Sequence, residues 1–402
     1  MKSIKELYKT GSGPSSSHTI APQRALKLYK KSFPQADHFL VTLYGSLSLT
    51  GKGHYSDEAL IKAAKPASCE VKFALDWSYD FPNGLTIKGY ASNQPLDTWV
   101  VYSLGGGSIK ILGQDFDFQK QVYPEQSFNE IHEFCTNNQL TLAEYVYFYE
   151  PEAKSYLKGI LQQMFTTIDS GLANEGYLLG RLKMPRIAKK LYLDTLTNDA
   201  LSDDEIKRQR LIAYAYATME ENATLGTVVT APTCGSAGVL AAVMYYYHHD
   251  LKYDKDKLVD ALATGGIFGN LVKTNATISG AEGGCQAEVG VACAMASAAI
   301  ASLMSDSIEE IEYAAEIGME HHLGLTCDPV GGYVIIPCIE RNGAAALRSI
   351  DSAFMAKQLI RMKPNRVRFD DVVETMKYTG QKIAVELRET SLGGLATQIK
   401  VE

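Results

Sequence analysis

Three cysteines lie in loops that could hold a metal or a metal–sulfur group. Cys285, Cys327 and Cys338 each stand near glycine or proline, in the stretches SGAEGGCQ, GLTCDPVGG and IPCIERN. A backbone of this kind can turn a thiolate inward and direct amide groups at its sulfur. Their wide separations match no common local zinc signature, in which ligands come in short pairs. Spacing alone therefore favours buried structural thiols, since free cysteine is among the most buried residue types.

Two histidines stand in loops where a side chain could do acid–base chemistry. His18 follows a serine run in residues 13–19 (GPSSSHT), and His54 ends residues 51–54 (GKGH), which include Lys52. A positioned general base contributes about 10²–10⁴-fold to a rate. The alternative is that each histidine only hydrogen-bonds its own loop. The serine hydroxyls, at the start of a helix, could bind an anion or could form an N-cap; these serines are Ser15, Ser16 and Ser17.

A second polar turn and two further side chains complete the candidate site. Thr233, Ser236 and Gly238 lie in residues 231–238 (APTCGSAG), directly before a predicted helix. Asn275 precedes the first cysteine loop, and Arg341 follows the third cysteine. An arginine in this position could neutralise the negative charge of a bound group.

Two kinds of scaffold must position these loops. Residues 38–106 alternate with the period of two that is typical of half-buried strands, and Asn83-Gly84 predicts a hairpin turn. From about residue 140 helices dominate, with capping boxes at Ser202 and Ser307 and further helices predicted at 153–172, 238–248, 255–264, 343–360 and 370–377. We therefore expect an α+β fold, with a small N-terminal α+β domain at residues 1–138 and a larger all-helical catalytic domain at 139–402.

Composition excludes several classes of protein. The chain has 402 residues, of which 46% are apolar and 21% charged, as in ordinary soluble proteins. A net charge of −7 argues against a nucleic-acid partner, which requires a basic surface. The longest apolar run, residues 289–304, is shorter than the roughly 20 residues that span a bilayer, so we expect a buried helix and no membrane partner. Seven cysteines, an odd number, with no secretory signal pattern at the start predict reduced thiols and a cytoplasmic location.

Several longer motifs together resemble a known family. They are residues 13–19, 45–54 (GSLSLTGKGH), 228–233 (VVTAPT), 279–291, 325–342 and 388–394 (RETSLGG). These motifs resemble the bacterial iron–sulfur-dependent L-serine dehydratases, or L-serine ammonia-lyases, of the single-chain type with fused beta and alpha regions. The resemblance extends over nearly the whole chain.

The resemblance implies a 4Fe-4S cluster held by Cys285, Cys327 and Cys338. Three thiolates would leave one iron with open positions, and an open-site metal is a Lewis acid. The implied reaction removes the Cα proton and the β-hydroxyl of L-serine, and the resulting 2-aminoacrylate hydrolyses to pyruvate and ammonia. The implied assembly is a homodimer.

The same resemblance assigns roles to the other candidates. His54 is the favoured acid–base or substrate-orienting residue, with His18 second and Lys52 beside them in the catalytic set. The predicted substrate-binding residues are Ser15, Ser16, Ser17, Thr233, Ser236, Gly238, Asn275 and Arg341, and the motif at 388–394 is expected to reach the active site.

This chain departs from the family pattern at several positions. Phe81 stands where relatives often have histidine before Pro-Asn-Gly, and Cys234 stands where asparagine or alanine is expected. The last residues, QIKVE, contain no cysteine that could act as an inhibitory tail.

Three other functions remain open at this point. A related iron–sulfur lyase could act on L-cysteine or L-threonine, because the same Lewis acid would serve each substrate. A non-catalytic iron–sulfur sensor and a metal-free amino-acid-binding protein are the alternatives outside lyase chemistry.

Overall fold

A computed structural model describes residues 1–79 and 81–401. The small sheet has the order β3-β2-β4-β5-β6, in which β2 and β3 are parallel and the other neighbours antiparallel. A separate short pair joins β1 to β7. The strands are β1 (Thr10–Ser12), β2 (His38–Gly45), β3 (Ser68–Phe73), β4 (Asn83–Ala91), β5 (Gln94–Ser103), β6 (Ile109–Ile111) and β7 (Thr227–Val229).

The hairpin turn lies at a different place from the one predicted. Asn83 and Gly84 are the first residues of β4, where Asn83 pairs with Gly45 of β2. The turn between β4 and β5 is made by Ser92 and Asn93, whose φ angles are 49° and 66°. Both central residues are thus left-handed, as a type I′ turn requires. The prediction was wrong because pairing with β2 extends β4 through the Asn-Gly dipeptide.

Helices make up most of the remaining chain. One begins at the predicted capping box of Ser202, and another begins after Ser307, whose hydroxyl accepts from the N–H of Glu310 without the reciprocal bond of a capping box. The helices are α1 (Ala21–Ser32), α2 (Ser46–Leu49), α3 (Ser56–Ala64), α4 (Phe128–Asn138), α5 (Leu142–Tyr149), α6 (Ala153–Ala173), α7 (Ala188–Thr197), α8 (Asp203–Ala223), α9 (Ala237–His249), α10 (Lys255–Asn275), α11 (Gly280–Gly283), α12 (Val289–Met304), α13 (Ile308–Glu320), α14 (Cys338–Leu359), α15 (Phe369–Lys382) and α16 (Leu395–Gln398). The α+β fold class is confirmed.

The alanine-rich helix α12 is the centre of the helical core. It packs against α9, α10, α13 and α14, and its residues from Val289 to Ala301 are buried. The segment Cys285–Met304 is long and apolar enough to cross a membrane, yet 78% of its most apolar window is buried within the protein. This burial is typical of a core helix in a large domain.

Three helices differ in extent from their predictions, and one of them, α15, runs to Lys382 instead of residue 377. Helix α10 continues past residue 264 through two glycines because the lack of a side chain lets α12 approach closely: a Cβ on Gly265 would lie 2.6 Å from the carbonyl oxygen of Met295. Helix α14 begins at Cys338 instead of residue 343. The earlier start puts Cys338 and Arg341 on the same first turns.

The described residues form two large hydrophobic cores and two smaller clusters. The smaller core lies between the sheet and its helices and uses residues between 21 and 111. The larger core includes Ile4 and Leu7 from the N-terminal segment, as well as Phe128 and Ile131 from α4. The N-terminal residues and α4 therefore pack with the helical region, while the boundary at 138/139 remains a prediction.

Candidate active site

A small cavity lies where loops of the small sheet region meet loops of the helical region. Six of the predicted site residues line it: Ser15, His54, Cys285, Cys327, Cys338 and Arg341. Three acidic residues also line it: Glu288, Asp328 and Glu389. Side chains far apart in the sequence thus converge on one small volume.

The three cysteines reach the cavity from different local structures. Cys285 begins a 3₁₀ turn before α12, and Cys338 is the first residue of α14. Cys327 lies in an extended segment whose N–H donates to the carbonyl of Leu387 (2.8 Å) and whose carbonyl accepts from the N–H of Glu389 (2.7 Å). The C-terminal segment therefore holds the second cysteine in place.

The chemistry of these thiols fits a bound metal–sulfur group. Loss of hydration raises the pKa of Cys285 to about 11 and raises the pKa values of Cys327 and Cys338 well above the usual range. The three sulfurs are also close to one another. Repulsion between neighbouring thiolates raises the pKa values of Cys327 and Cys338 further. Thiols with raised pKa values stay protonated by themselves and lose their protons when a metal binds. Among the described residues, the remaining cysteines do not line this cavity.

His54 is held in one orientation. It is 1% exposed, and its Nδ1 lies 2.8 Å from the carbonyl oxygen of Thr50. A carbonyl can only accept, so we assign the proton to Nδ1, which leaves the Nε2 lone pair free. Burial lowers the pKa of His54 to about 4, and the imidazole is therefore neutral at neutral pH.

His18 stacks on His54 with ring centroids 4.1 Å apart and has partners at both nitrogens. Its Nε2 lies 3.2 Å from the carbonyl oxygen of Ser46 and 2.8 Å from Oγ1 of Thr50, so we assign its proton to Nε2. Its Nδ1 then accepts from the hydroxyl of Ser15 at 3.0 Å. Burial, and next the neighbouring His54, lower the pKa of His18 well below its usual range.

The acidic residues have different surroundings. Asp328 accepts from the N–H of Leu395 (2.7 Å) and lies 3.5 Å from the guanidinium of Arg341. Glu288 accepts from the hydroxyl of Thr233 at 2.7 Å, and loss of hydration raises its pKa. Glu389 is 5% exposed, and its Oε2 is buried without a hydrogen-bond partner in the part of the chain that the structure describes.

Arg341 brings positive charge to this acidic cavity. Its guanidinium donates to the carbonyl of Thr326 at 2.6 Å, and the nearby sulfurs of Cys285 and Cys338 help to raise its pKa against the opposing effect of burial. It therefore stands where it can offset the charge of thiolates or of an anionic substrate.

The polar turn at 231–238 forms an internal network behind the cavity. Ser236 donates to the carbonyl of Ala231 (3.2 Å), and the N–H of Gly238 donates to Asn342 (3.0 Å). Gly235 is the member of this turn that lines the cavity. Thr233, Ser236 and Gly238 thus position Glu288 and the turn, and they do not face the cavity themselves.

Lys52 and Asn275 lie away from the cavity, each with partners of its own. The side chain of Lys52 is 72% exposed, forms an ion pair with Asp57 and lies over the ring of Phe73. Asn275 donates to the carbonyl of Gln126 at 2.6 Å and lines a separate surface groove. Sequence proximity to a site residue placed both in the predicted set, but Lys52 turns outward from its loop and Asn275 ends α10 at the surface.

The serine-rich loop contributes less than predicted. Ser16 and Ser17 are buried in a π-helical turn (Ser16–Ile20) and do not line the cavity, whereas Ser15 does. The carbonyl of Ser17 accepts from the hydroxyl of Ser103 at 2.9 Å, which ties the loop to the sheet.

Sequence analysis did not single out the three acidic residues. The signals were nonetheless present, because Asp328 directly follows Cys327 and Glu389 lies within the motif at 388–394. That motif was expected to reach the site, and Glu389 does line the cavity.

Comparison with known proteins gives the same family for both parts of the chain. The serine dehydratase beta chain family matches residues 3–77, and the serine dehydratase alpha chain family matches residues 83–396. L-serine dehydratase 1 of Escherichia coli (strain K12) is 38% identical, with 100% of each chain covered. The L-serine dehydratases of Haemophilus influenzae and Streptomyces coelicolor are 37% and 36% identical, with 99% of each chain covered. This chain therefore belongs to the serine dehydratase family and joins its beta-chain and alpha-chain regions in one polypeptide.

Proposed function

We propose that this protein is an L-serine ammonia-lyase, which converts L-serine into pyruvate and ammonia. The observation that carries the proposal is the convergence of three cysteines, a neutral imidazole and an arginine on one cavity. The full-length relatives named L-serine dehydratase support the same activity.

Cys285, Cys327 and Cys338 would hold a 4Fe-4S cluster in the cavity. Their thiols are desolvated and close together, and such a set needs a positively charged metal centre to be stable as thiolates. When bound, a cluster with one iron free of cysteine would supply a Lewis acid for the carboxylate and β-hydroxyl of serine.

His54 would take the Cα proton of serine. The carbonyl of Thr50 fixes Nδ1–H, so Nε2 is the basic atom. Because burial keeps the imidazole neutral, this nitrogen is free to accept a proton throughout the neutral pH range. The product, 2-aminoacrylate, tautomerises and hydrolyses in water without further need of the protein.

His18 would act as a positioning residue. Both of its nitrogens are occupied, and its ring stacks flat on His54 at an interplanar angle of 13°. Ser15 orients His18 and also lines the cavity, where its hydroxyl can contact the substrate. Arg341 would balance the charge of the substrate carboxylate.

Lyases for L-threonine or L-cysteine remain the competing proposals within the same chemistry. Initial rates of keto-acid formation from L-serine, L-threonine and L-cysteine, measured on anaerobically purified protein, decide among them. We expect L-serine to have the highest kcat/KM. A protein that is colourless, without iron and sulfide after anaerobic purification, and inactive on all three substrates would contradict the proposed function.

We also propose a cytoplasmic homodimer. The family resemblance of the sequence motifs implies the dimer, and light scattering of the anaerobic protein tests the oligomeric state. A monomer at assay concentrations would contradict it.

A further inference from the structure

Glu389 has a carboxylate oxygen with no partner in the described structure. Its Oε2 is buried and accepts no hydrogen bond, while the carboxyl group lies beside the N–H of Ala281. Burial, and next the nearby carboxylate of Glu288, raise the pKa of Glu389 well above its usual range, so the group lacks a countercharge as well as a donor. A buried carboxyl oxygen with no partner costs free energy, and one that lines a cavity indicates a missing partner.

The neighbouring side chains cannot supply that donor. The nearest imidazole nitrogen, Nδ1 of His18, lies 3.7 Å from Oε1 of Glu389, but it accepts from Ser15 and carries no proton. Arg341 donates to Thr326 and pairs with Asp328 instead. A cationic donor on a molecule that enters the cavity would satisfy this oxygen.

The backbone holds Glu389 rigidly in this position. Its N–H donates to the carbonyl of Cys327 (2.7 Å), and its carbonyl accepts from the hydroxyl of Ser46 (2.8 Å). Its φ of 57° is left-handed, a conformation that costs free energy in a residue other than glycine. Contacts from both parts of the fold thus fix the backbone of a residue whose side chain lines the cavity.

We infer that Glu389 binds the α-ammonium group of the substrate and so selects an amino acid over a hydroxy acid. An ammonium offers three donors and a positive charge, and a hydrogen bond between charged groups is stronger than a neutral one. Carboxylate and imidazole ligand atoms of Glu389, His18 and His54 all lie within 4.8 Å of one another. An ammonium on Glu389 would therefore place the attached Cα beside His54, whose Nε2 is the free base. This inference rests on the proposed function, because it concerns the same site.

L-Alanine and L-lactate provide the test. They differ in having an ammonium or a hydroxyl on Cα, and neither has a β-hydroxyl to eliminate. Binding of each to the anaerobic holoprotein is measured by calorimetry, with iron and sulfide content determined for every variant. We expect Glu389→Gln, which keeps the shape of the side chain, to weaken L-alanine binding at least ten-fold and to change L-lactate binding less than two-fold.

Glu386→Gln is the matched control, since Glu386 is exposed on the same segment. It should leave both ligands unaffected. Equal weakening of L-alanine and L-lactate in Glu389→Gln would overturn the inference, as would unchanged L-alanine binding. If that variant does not fold, the wild-type protein still tests the inference. Wild-type protein that binds L-lactate as tightly as L-alanine would contradict recognition of the ammonium group. Failure of serine turnover with selective L-alanine binding would instead count against the proposed reaction alone.

Discussion

Replacing His54 by asparagine is the sharpest test of the proposed base. The amide nitrogen of asparagine can take the place of Nδ1 and keep the hydrogen bond to the carbonyl of Thr50, now 2.8 Å long. The substitution removes Nε2, the nitrogen of His54 that is free to accept the Cα proton. It therefore separates the loss of the base from the loss of the local structure.

The expected loss follows from what a general base contributes. Removing it should lower kcat by about 10²–10⁴-fold. At about 1.4 kcal/mol per factor of ten, this corresponds to roughly 2.7–5.5 kcal/mol of transition-state stabilisation. The assay is pyruvate formation from L-serine by anaerobic protein, with iron content matched between variants. His38→Asn, which makes the same change at a half-buried position on β2, should retain activity within two-fold.

The pH dependence of kcat/KM in the wild-type protein provides a second test of His54 as the base. With a pKa of about 4, His54 is about 97% deprotonated at pH 5.5, whereas an ordinary histidine of pKa 6.5 would be only about 9% deprotonated. We therefore expect kcat/KM to be flat from neutral pH down to about pH 5.5. The reasoning is refuted if H54N keeps more than a tenth of wild-type kcat, or if kcat/KM falls with an apparent pKa near 6.5.

Three further predictions concern the cluster, the packing of the small region and acid stability. Cys285→Ala should abolish bound iron and the brown colour, whereas Cys69→Ala should not; equal iron in both variants would contradict the ligand set. Gly53→Ala should destabilise the protein by about 1–3 kcal/mol in chemical denaturation, because the new Cβ would lie 2.7 Å from the backbone of Gly332; an unchanged midpoint would count against this close contact. The two stacked histidines have lowered pKa values in the folded state, so the unfolded chain binds more protons as pH falls below about 6.5. For His54 the free energy of unfolding should therefore fall by up to about 1.4 kcal/mol per pH unit between about pH 6.5 and pH 4, and His18 should add to this fall. An H54N variant with the wild-type slope would disprove this origin.

Much of the fold follows from local sequence pattern. Helix α6, the capping box at Ser202 and the N-cap at Ser307 are where periodicity and capping chemistry predict them. The errors arise where tertiary contacts override local preference. Pairing with β2 draws Asn83 into a strand, and close packing on α12 carries α10 through its glycines.

In the candidate site, too, some features follow from local sequence and others depend on tertiary contacts. The glycine- and proline-rich loops mark the three cysteines, and the resemblance of longer motifs points to their shared role. Nothing in the local pattern distinguishes His54, which faces the cavity, from Lys52, which faces solvent two residues earlier. That difference depends on which side of the loop packs against the helical region.

The sequence by itself determined the family, the fold class and the cysteines that could hold a cluster, because residue type and motif order are local properties of the chain. The tertiary structure decided which neighbours each side chain has. It gave His54 a neutral ring and a fixed proton by burying it against Thr50, and it left an oxygen of Glu389 unpaired beside the same ring. Desolvation and hydrogen-bond geometry arise only when distant segments meet, so the chemistry of these two groups could not be derived from the residue order.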